Sequence, residues 1–180
     1  MGEGILVTYS GEEISLLNIE EVKINIEDIA HALSYICRFA GQCKQFYSVG
    51  SHSINCLRVA EHFGYSDELK LYTLLHDATE AYICDMPSPL KKILPEYKKY
   101  ENDLESIIHK RFGLNQLTEF DKAKIKEIDK IVFSQEWKEL MNYNYEDQYT
   151  NILIPNLDFS YQNMETVEKQ FLIEAKKLIK

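Results

Sequence analysis

Ser66-Asp67-Glu68-Leu69-Lys70-Leu71-Tyr72-Thr73-Leu74-Leu75-His76-Asp77-Ala78-Thr79-Glu80-Ala81-Tyr82 is the stretch on which the reading of this chain turns. Ser66 is a good N-cap, and Leu71, Leu74, Leu75 and Ala78 recur at helical spacing, so the pattern predicts a helix from about 67 to 82. His76 and Asp77 sit beside that apolar stripe. An imidazole and a carboxylate side by side in an apolar helix need a partner. A divalent transition metal is one, because a neutral imidazole nitrogen and a carboxylate oxygen are both good ligands. His52 upstream and Asp129 downstream are the residues that could complete such a site.

Outward from this stretch, the rest of the chain also reads as helices. Val49, His52, Cys56, Val59 and Phe63 follow one face of a helix that starts near Ser48 and stops before Gly64, which turns His52 inward. Ile29, Leu33, Ile36 and Cys37 mark an earlier helix over about 27–39, closed by Gly41. Asp85-Met86-Pro87-Ser88-Pro89-Leu90-Lys91 is expected to be a loop, since two closely spaced prolines restrict the backbone and remove two amide donors. Helices are predicted at about 96–112 and 119–141, the second capped by Thr118 with Asp121 completing a capping-box variant. On that helix Asp129 has Ile125, Val132 and Phe133 as neighbours. Residues 142–162, with Tyr143, Tyr145, Tyr149, Pro155 and Tyr161, show no period and read as a long packed loop before a last helix at about 163–179. Ile5 to Tyr9 and Glu12 to Leu16, around Ser10-Gly11, are the convincing strand signal. The expected fold class is all-α with a short N-terminal β-hairpin. A single domain is expected over 1–180: hairpin and lead-in to residue 26, a helical core with the metal site over 27–141, and a long loop and helix over 142–180.

Composition narrows the function. The chain has 180 residues, 45% of them hydrophobic, which suffices for one domain with a real core. It carries no apolar run of about 18 residues, and its start, Met1-Gly2-Glu3-Gly4-Ile5-Leu6, matches neither a signal peptide nor a myristoylation site. A cytoplasmic protein with no membrane partner is expected. The formal net charge of −9 argues against nucleic acid polymers and anionic membranes as partners. An anionic substrate would require a few basic residues gathered around it. Cys37, Cys43, Cys56 and Cys84 form no Cys-x-x-Cys pair, so they are expected to be reduced, small core residues.

Each possible ligand has an ordinary explanation as well. His52 could be a core imidazole satisfied by hydrogen bonds, and Asp129 could pair with Arg or Lys. Left alone among Ile125, Val132 and Phe133, its carboxylate would cost several kcal/mol in desolvation. Together, two histidines and two aspartates from three helices make a mixed nitrogen and oxygen set with room for water. Such an open site lowers the pKa of bound water and suits hydrolysis of a phosphoester or phosphoanhydride. Glu80, one turn beyond His76, could then handle a proton.

His52, His76-Asp77, Asp129, Glu80 and Asp85-Met86-Pro87-Ser88-Pro89, within about residues 28–132, resemble the HD-domain metal-dependent phosphohydrolases. Ser51-His52-Ser53, His76-Asp77-Ala78-Thr79-Glu80 and Asp85 to Lys91 look like the short bacterial 5′-deoxynucleotidases. Asp28-Ile29-Ala30-His31-Ala32-Leu33-Ser34, Arg38-Phe39 and Phe46-Tyr47-Ser48-Val49 look closer to phage-type relatives, including deoxyadenosine triphosphate triphosphohydrolases. The resemblance implies an HD-domain helical bundle whose metal ligands are His52, His76, Asp77 and Asp129, with Zn, Co or Mn as the divalent metal. It implies that Glu80 assists the attacking water, that Arg38 meets a phosphate, and that Phe39 and Asp85 lie at the sugar, Phe39 standing where that branch has tryptophan. Lys91 and Lys126 match positions that could hold the phosphate tail.

The implied activity is phosphohydrolysis of a small-molecule deoxyribonucleotide, either a monophosphate or a triphosphate. Hydrolysis of a cyclic or signalling nucleotide, and a non-catalytic nucleotide-binding protein with a structural metal, are the alternatives. A homo-oligomer, bacterial or phage-encoded and working in the cytoplasm, is expected by the same resemblance. His31 is assigned a core or ligand-supporting place and His62 an exposed helix end. His109 is assigned no chemistry, since it falls at a helix C-terminus where cationic side chains suit the dipole.

Overall fold

The computed structural model describes residues 4–179. Strands β1 (Ile5–Val7) and β2 (Glu13–Ser15) pair antiparallel with Leu6 opposite Ile14. The Ser10 amide and hydroxyl both donate to the Asp28 carboxylate, at 2.7 and 2.8 Å, so the hairpin turn is latched to the first helix. Eight helices follow: α1 (Ile26–Tyr35), α2 (Val49–His62), α3 (Asp67–Leu74), α4 (Glu80–Ile83), α5 (Ser88–Lys91), α6 (Pro95–Arg111), α7 (Glu119–Leu140) and α8 (Met164–Leu178). The fold is therefore all-α with a short N-terminal hairpin. Ser48, Ser66, Thr118 and Asn163 each accept a backbone N–H from the first turn of the helix that follows. Such caps contribute about 1 kcal/mol apiece.

Helix α2 lies at the centre because it serves two apolar clusters. Val49, Ile54 and Leu57 pack with Leu33 of α1, Leu71 and Leu74 of α3 and Phe171 of α8. Cys56, Val59 and Ala60 pack instead against Ile128, Ile131 and Val132 of α7, which Tyr149, Ile152, Ile154 and Phe159 cover from outside. Gly50 permits the close approach: a Cβ there would stand 3.1 Å from both Ser34 Oγ and a Val167 methyl, and 3.3 Å from the Leu33 backbone. His52, two residues on, is thereby buried between the clusters.

Three sequence expectations are corrected. The first helix ends at Tyr35, not near 39, because Ile36 and Cys37 run extended and pair with the chain ahead of α2. The Arg38 N–H donates to the Tyr47 carbonyl at 2.9 Å and the Val49 N–H to the Ile36 carbonyl at 3.0 Å. Arg38–Gly41 then forms a tight turn in which Phe39 (φ 56°) and Ala40 (φ 49°) are left-handed. Two such non-glycine residues cost about 1–2 kcal/mol each.

The predicted 67–82 helix is interrupted at 75–79, directly across His76-Asp77. His76 Nδ1 donates to the Thr73 carbonyl at 2.7 Å, and that carbonyl is the one the Asp77 N–H would use in a continuous helix. The backbone tightens to three-residue spacing instead, with Ala78 N–H on the Leu75 carbonyl and Glu80 N–H on the Asp77 carbonyl. The cysteines are the third correction, since Cys56 is buried while Cys37 and Cys43 are half-buried and Cys84 is exposed. In the 85–91 segment, Asp85 to Pro87 is irregular as expected and Ser88–Lys91 adds one helical turn.

Residues 142–162 have no helix or strand, as the sequence suggests, yet they are pinned. Asp147 accepts the Tyr149 and Thr150 amides at 2.8 and 3.1 Å and the Ser134 hydroxyl at 2.7 Å. Asn55 of α2 exchanges hydrogen bonds with the Asp158 backbone at 2.8 and 3.1 Å. Among the described residues no helix is long and apolar enough to cross a membrane.

His109 meets Tyr72 edge-on, ring centroids 4.7 Å apart, and burial pushes its imidazole down to about 4. Desolvation therefore overrules the dipole at the end of α6, and the ring is neutral. The unfolded chain binds this proton more readily, so stability is complete above the ordinary value near 6.5 and is lost as pH falls towards about 4. After allowance for partial solvent access the contribution is about 1–2 kcal/mol. His109→Gln should flatten the dependence of urea stability on pH in that window, and an unchanged slope would remove the assignment.

Candidate functional site

Four predicted residues arrive at one point from three parts of the chain. His52 comes from α2, His76 and Asp77 from the turn between α3 and α4, and Asp129 from α7. Successive residues of a helix point about 100° apart, whereas the break at 75–79 lets His76 Nε2 and Asp77 Oδ2 stand 3.3 Å from one another. His52 Nε2 lies 3.2 Å from His76 Nε2, 3.3 Å from Asp129 Oδ1 and 3.6 Å from Asp77 Oδ2.

The far nitrogens explain the orientation of the rings. His52 Nδ1 is 2.7 Å from Glu136 Oε1, and His76 Nδ1 is 2.7 Å from the Thr73 carbonyl, so both Nδ1 atoms act as donors. Each Nε2 is left to face the cluster. Two imidazole nitrogens and two carboxylate oxygens turned on each other repel unless positive charge stands among them. The protein recruits some: burial and Arg38 act to lower the His52 imidazole, yet Cys56, Glu136 and Asp129 hold it well above its ordinary value. A metal ion would take the place of that proton.

The donor spacing suits such an ion. Ligands about 2.0–2.1 Å from a tetrahedral ion are separated by about 3.3–3.4 Å along each edge, and four of the six separations in this set run from 3.2 to 3.6 Å. The site is closed at one end and open at the other, since the His52 side chain is 0% exposed while Asp129 is 43% exposed. Burial pushes the carboxyls of Asp77 and Asp129 up, but the neighbouring histidines and Arg38 outweigh it and hold both below the usual carboxylate range.

Arg38 sits behind this cluster, its NH1 3.4 Å from Asp77 Oδ2 and its Nε 3.2 Å from Glu136 Oε2. Burial works against its charge, but Glu136, Asp77, Asp129 and Glu80 together keep it firmly protonated. Glu80 is buried, and its Oε1 meets Lys91 Nζ at 3.3 Å while its Oε2 has no hydrogen-bond partner. Burial, then Asp77 and Asp85, push the Glu80 carboxyl well above its ordinary range, Lys91 and Arg38 opposing. Asp85 lies half-buried on the loop after α4, its carboxyl also raised by burial.

Not every predicted contact takes the place expected of it. Lys91 is held between Glu80 and Glu101, 2.8 Å from the latter, and so positions Glu80. Lys126 is exposed on α7, one turn before Asp129. Phe39 packs in an aromatic group with Phe133 and Trp137, centroids 6.0 and 5.8 Å away, beneath the Arg38 guanidinium. His31 is remote from the site: it stacks between Tyr9 and Tyr35 and bonds Glu168 at 3.0 Å.

Two residues escaped the sequence reading. Glu136, fully buried, fixes His52 and Arg38 together, and those two cations hold its carboxyl low against burial. Its signal was its place on α7 four residues beyond the buried Val132. Cys56, one turn after His52, brings its Sγ to 3.4 Å from His52 Nε2. His52, Cys56 and His76 offer ligand atoms within 4.8 Å of one another, so the molecule contains a group that could hold a metal ion. Burial pushes the Cys56 thiol up to about 11.

No protein-family model matches the sequence. The chain is 38% identical over 133 residues to the uncharacterized protein YfdR of Escherichia coli, an overlap of 74% of this chain and 70% of that protein. It is also 38% identical over 113 residues to an uncharacterized protein of Rhodobacter capsulatus, 58% of this chain and 56% of that protein.

Proposed function

We propose that this chain, which belongs to the family of Escherichia coli YfdR, is a metal-dependent phosphohydrolase of deoxyribonucleotides. The observation that carries the reading is the approach of His76 Nε2, Asp129 Oδ1 and Asp77 Oδ2 to His52 Nε2 at 3.2–3.6 Å, with His76 and Asp77 3.3 Å apart and the Asp129 side open to solvent. The resemblance to HD-domain phosphohydrolases supports it and supplies the substrate class.

His52, His76, Asp77 and Asp129 would hold the ion, and Zn, Co and Mn all accept this donor set. A bound ion of this kind polarises a phosphoryl oxygen and acidifies water. Arg38, charged and fixed by Glu136, meets the negative charge of a phosphoryl group. Glu80, whose carboxyl burial and the nearby Asp77 and Asp85 raise well above its ordinary range, can exchange a proton at the reacting oxygen, with Lys91 holding the carboxyl in place. Asp85 at the rim offers an acceptor to a sugar hydroxyl.

The test is metal analysis of protein prepared without chelator, followed by a panel of deoxy- and ribonucleotide mono-, di- and triphosphates with Zn, Co or Mn. About one metal per chain is expected. Orthophosphate release identifies a nucleotidase and triphosphate release a triphosphohydrolase, while metal-loaded protein that cleaves none of them overturns the reading. Asp129→Ala should lower both the metal content and the melting temperature, because the site is then one ligand short.

A second reading, a structural metal held by His52, Cys56 and His76, is favoured by the position of Cys56. It requires the thiolate of a thiol that burial holds at about 11. Cys56→Ser separates the two: metal content is unchanged if the aspartates bind and is lost if the sulfur does.

A further inference from the structure

Cys37 and Cys43 flank the left-handed turn that carries Arg38, and their Sγ atoms are 3.8 Å apart. Cys43 Sγ is also 3.8 Å from the Arg38 carbonyl. Both residues are half-buried, while Gly41 and Gln42 between them are exposed, so a small molecule in solution can reach the pair. We propose that Cys37 and Cys43 form a reversible disulfide by exchange with a low-molecular-weight disulfide such as oxidised glutathione.

The fold has already brought the thiols together. Cys37 is bridged to Ser48, the Arg38 N–H is tied to the Tyr47 carbonyl at 2.9 Å, and the Lys44 N–H to the Leu140 carbonyl at 2.8 Å. Phe39 and Ala40, both at positive φ, fold the intervening chain back, with the Gln42 N–H on the Phe39 carbonyl at 2.9 Å. A disulfide needs its sulfurs at about 2.05 Å, and they already stand at 3.8 Å. Burial and the Cys37 neighbour raise the Cys43 thiol above its ordinary range. Proximity therefore favours the exchange, in place of a pre-formed thiolate.

The chemistry balances without another reagent. One protein thiolate attacks a sulfur of the small disulfide and expels a thiolate, giving a mixed disulfide. The second protein thiolate attacks the protein sulfur of that bond and expels the other small thiolate. Two protein thiols have lost two electrons and two protons, and one small disulfide has become two thiols. The ring encloses residues 38–42, so oxidation acts on the segment that presents the Arg38 guanidinium to Asp77 and Glu136. The inference does not depend on the proposed activity.

The full chain is equilibrated in buffers of reduced and oxidised glutathione, quenched in acid, unfolded, alkylated and mapped by peptide mass. The expected result is a Cys37–Cys43 link that dithiothreitol removes, with Cys56 still alkylated. Its formation constant should be at least about tenfold larger for the folded chain than for the chain in urea, reflecting the prepaid approach of the thiols. Cys43→Ser should abolish the link and leave Cys37 free or singly glutathionylated. A wild-type map showing only free or singly glutathionylated Cys37 and Cys43, or equal formation constants in buffer and urea, would overturn the proposal.

Discussion

Glu136→Ala is expected to cost about 3–5 kcal/mol of folding stability and to strip the proposed site of most of its metal. Glu136 is fully buried and its two oxygens serve two different cations, Oε1 at 2.7 Å from His52 Nδ1 and Oε2 at 3.2 Å from Arg38 Nε. Its removal leaves the Arg38 guanidinium buried beside one remaining contact, Asp77 at 3.4 Å. It also frees the His52 ring to rotate or to change tautomer, and the loss of such an orienting partner costs about 10–100-fold in metal affinity. Glu136→Gln keeps the volume and an acceptor but not the charge, so it should recover part of the stability and little of the Arg38 pairing. Urea unfolding of both variants, with metal content measured on the same samples, reads the two effects. A Glu136→Ala cost below about 1 kcal/mol would show that the buried charges are compensated elsewhere.

For the proposed hydrolase, Glu80→Ala should behave in the opposite way, leaving metal content intact while lowering turnover by about 10²–10⁴-fold. Glu80 is not among the four converging donors, and its Oε2 has no hydrogen-bond partner to lose. Lys91 retains Glu101 at 2.8 Å when Glu80 is gone, so no cation is stranded. The cost then falls on the step in which a proton is exchanged, and Glu80→Gln, similar in shape but unable to accept the proton, should be equally slow. Turnover of either variant on the nucleotide found by the panel, if unchanged, removes Glu80 from the proton path.

What was legible in the sequence was local. Ser48, Ser66 and Thr118 announce helix starts through bonds to amides three residues away, and the structure places α2, α3 and α7 where those residues predict. His52 and Asp129 could be picked out because each is polar within an apolar period. What stayed hidden depends on partners distant in the chain. Helix α1 stops early because 36–38 pairs with 47–49, a contact that no periodicity encodes. Lys91 reads as a free cation until the fold sets Glu101 beside it. Glu136 lies four residues beyond Val132, a periodic hint and no more, and only the approach of α2 to α7 makes it the residue that orders the site. The break at 75–79 comes from a side chain taking a backbone carbonyl, which apolar spacing cannot report.

That break also decides how the molecule breathes. Between α3 and α4 the four-residue ladder is missing, and the amides of 78 and 80 hold tighter, less well aligned three-residue bonds. Opening there need not wait for either helix to melt, so these amides can exchange through a local opening. Two of the proposed ligands, His76 and Asp77, ride on that joint. An ion joining His76 and Asp77 to α2 and α7 would tie this joint down, so that slowed amide exchange at 76–80 becomes a gauge of occupancy.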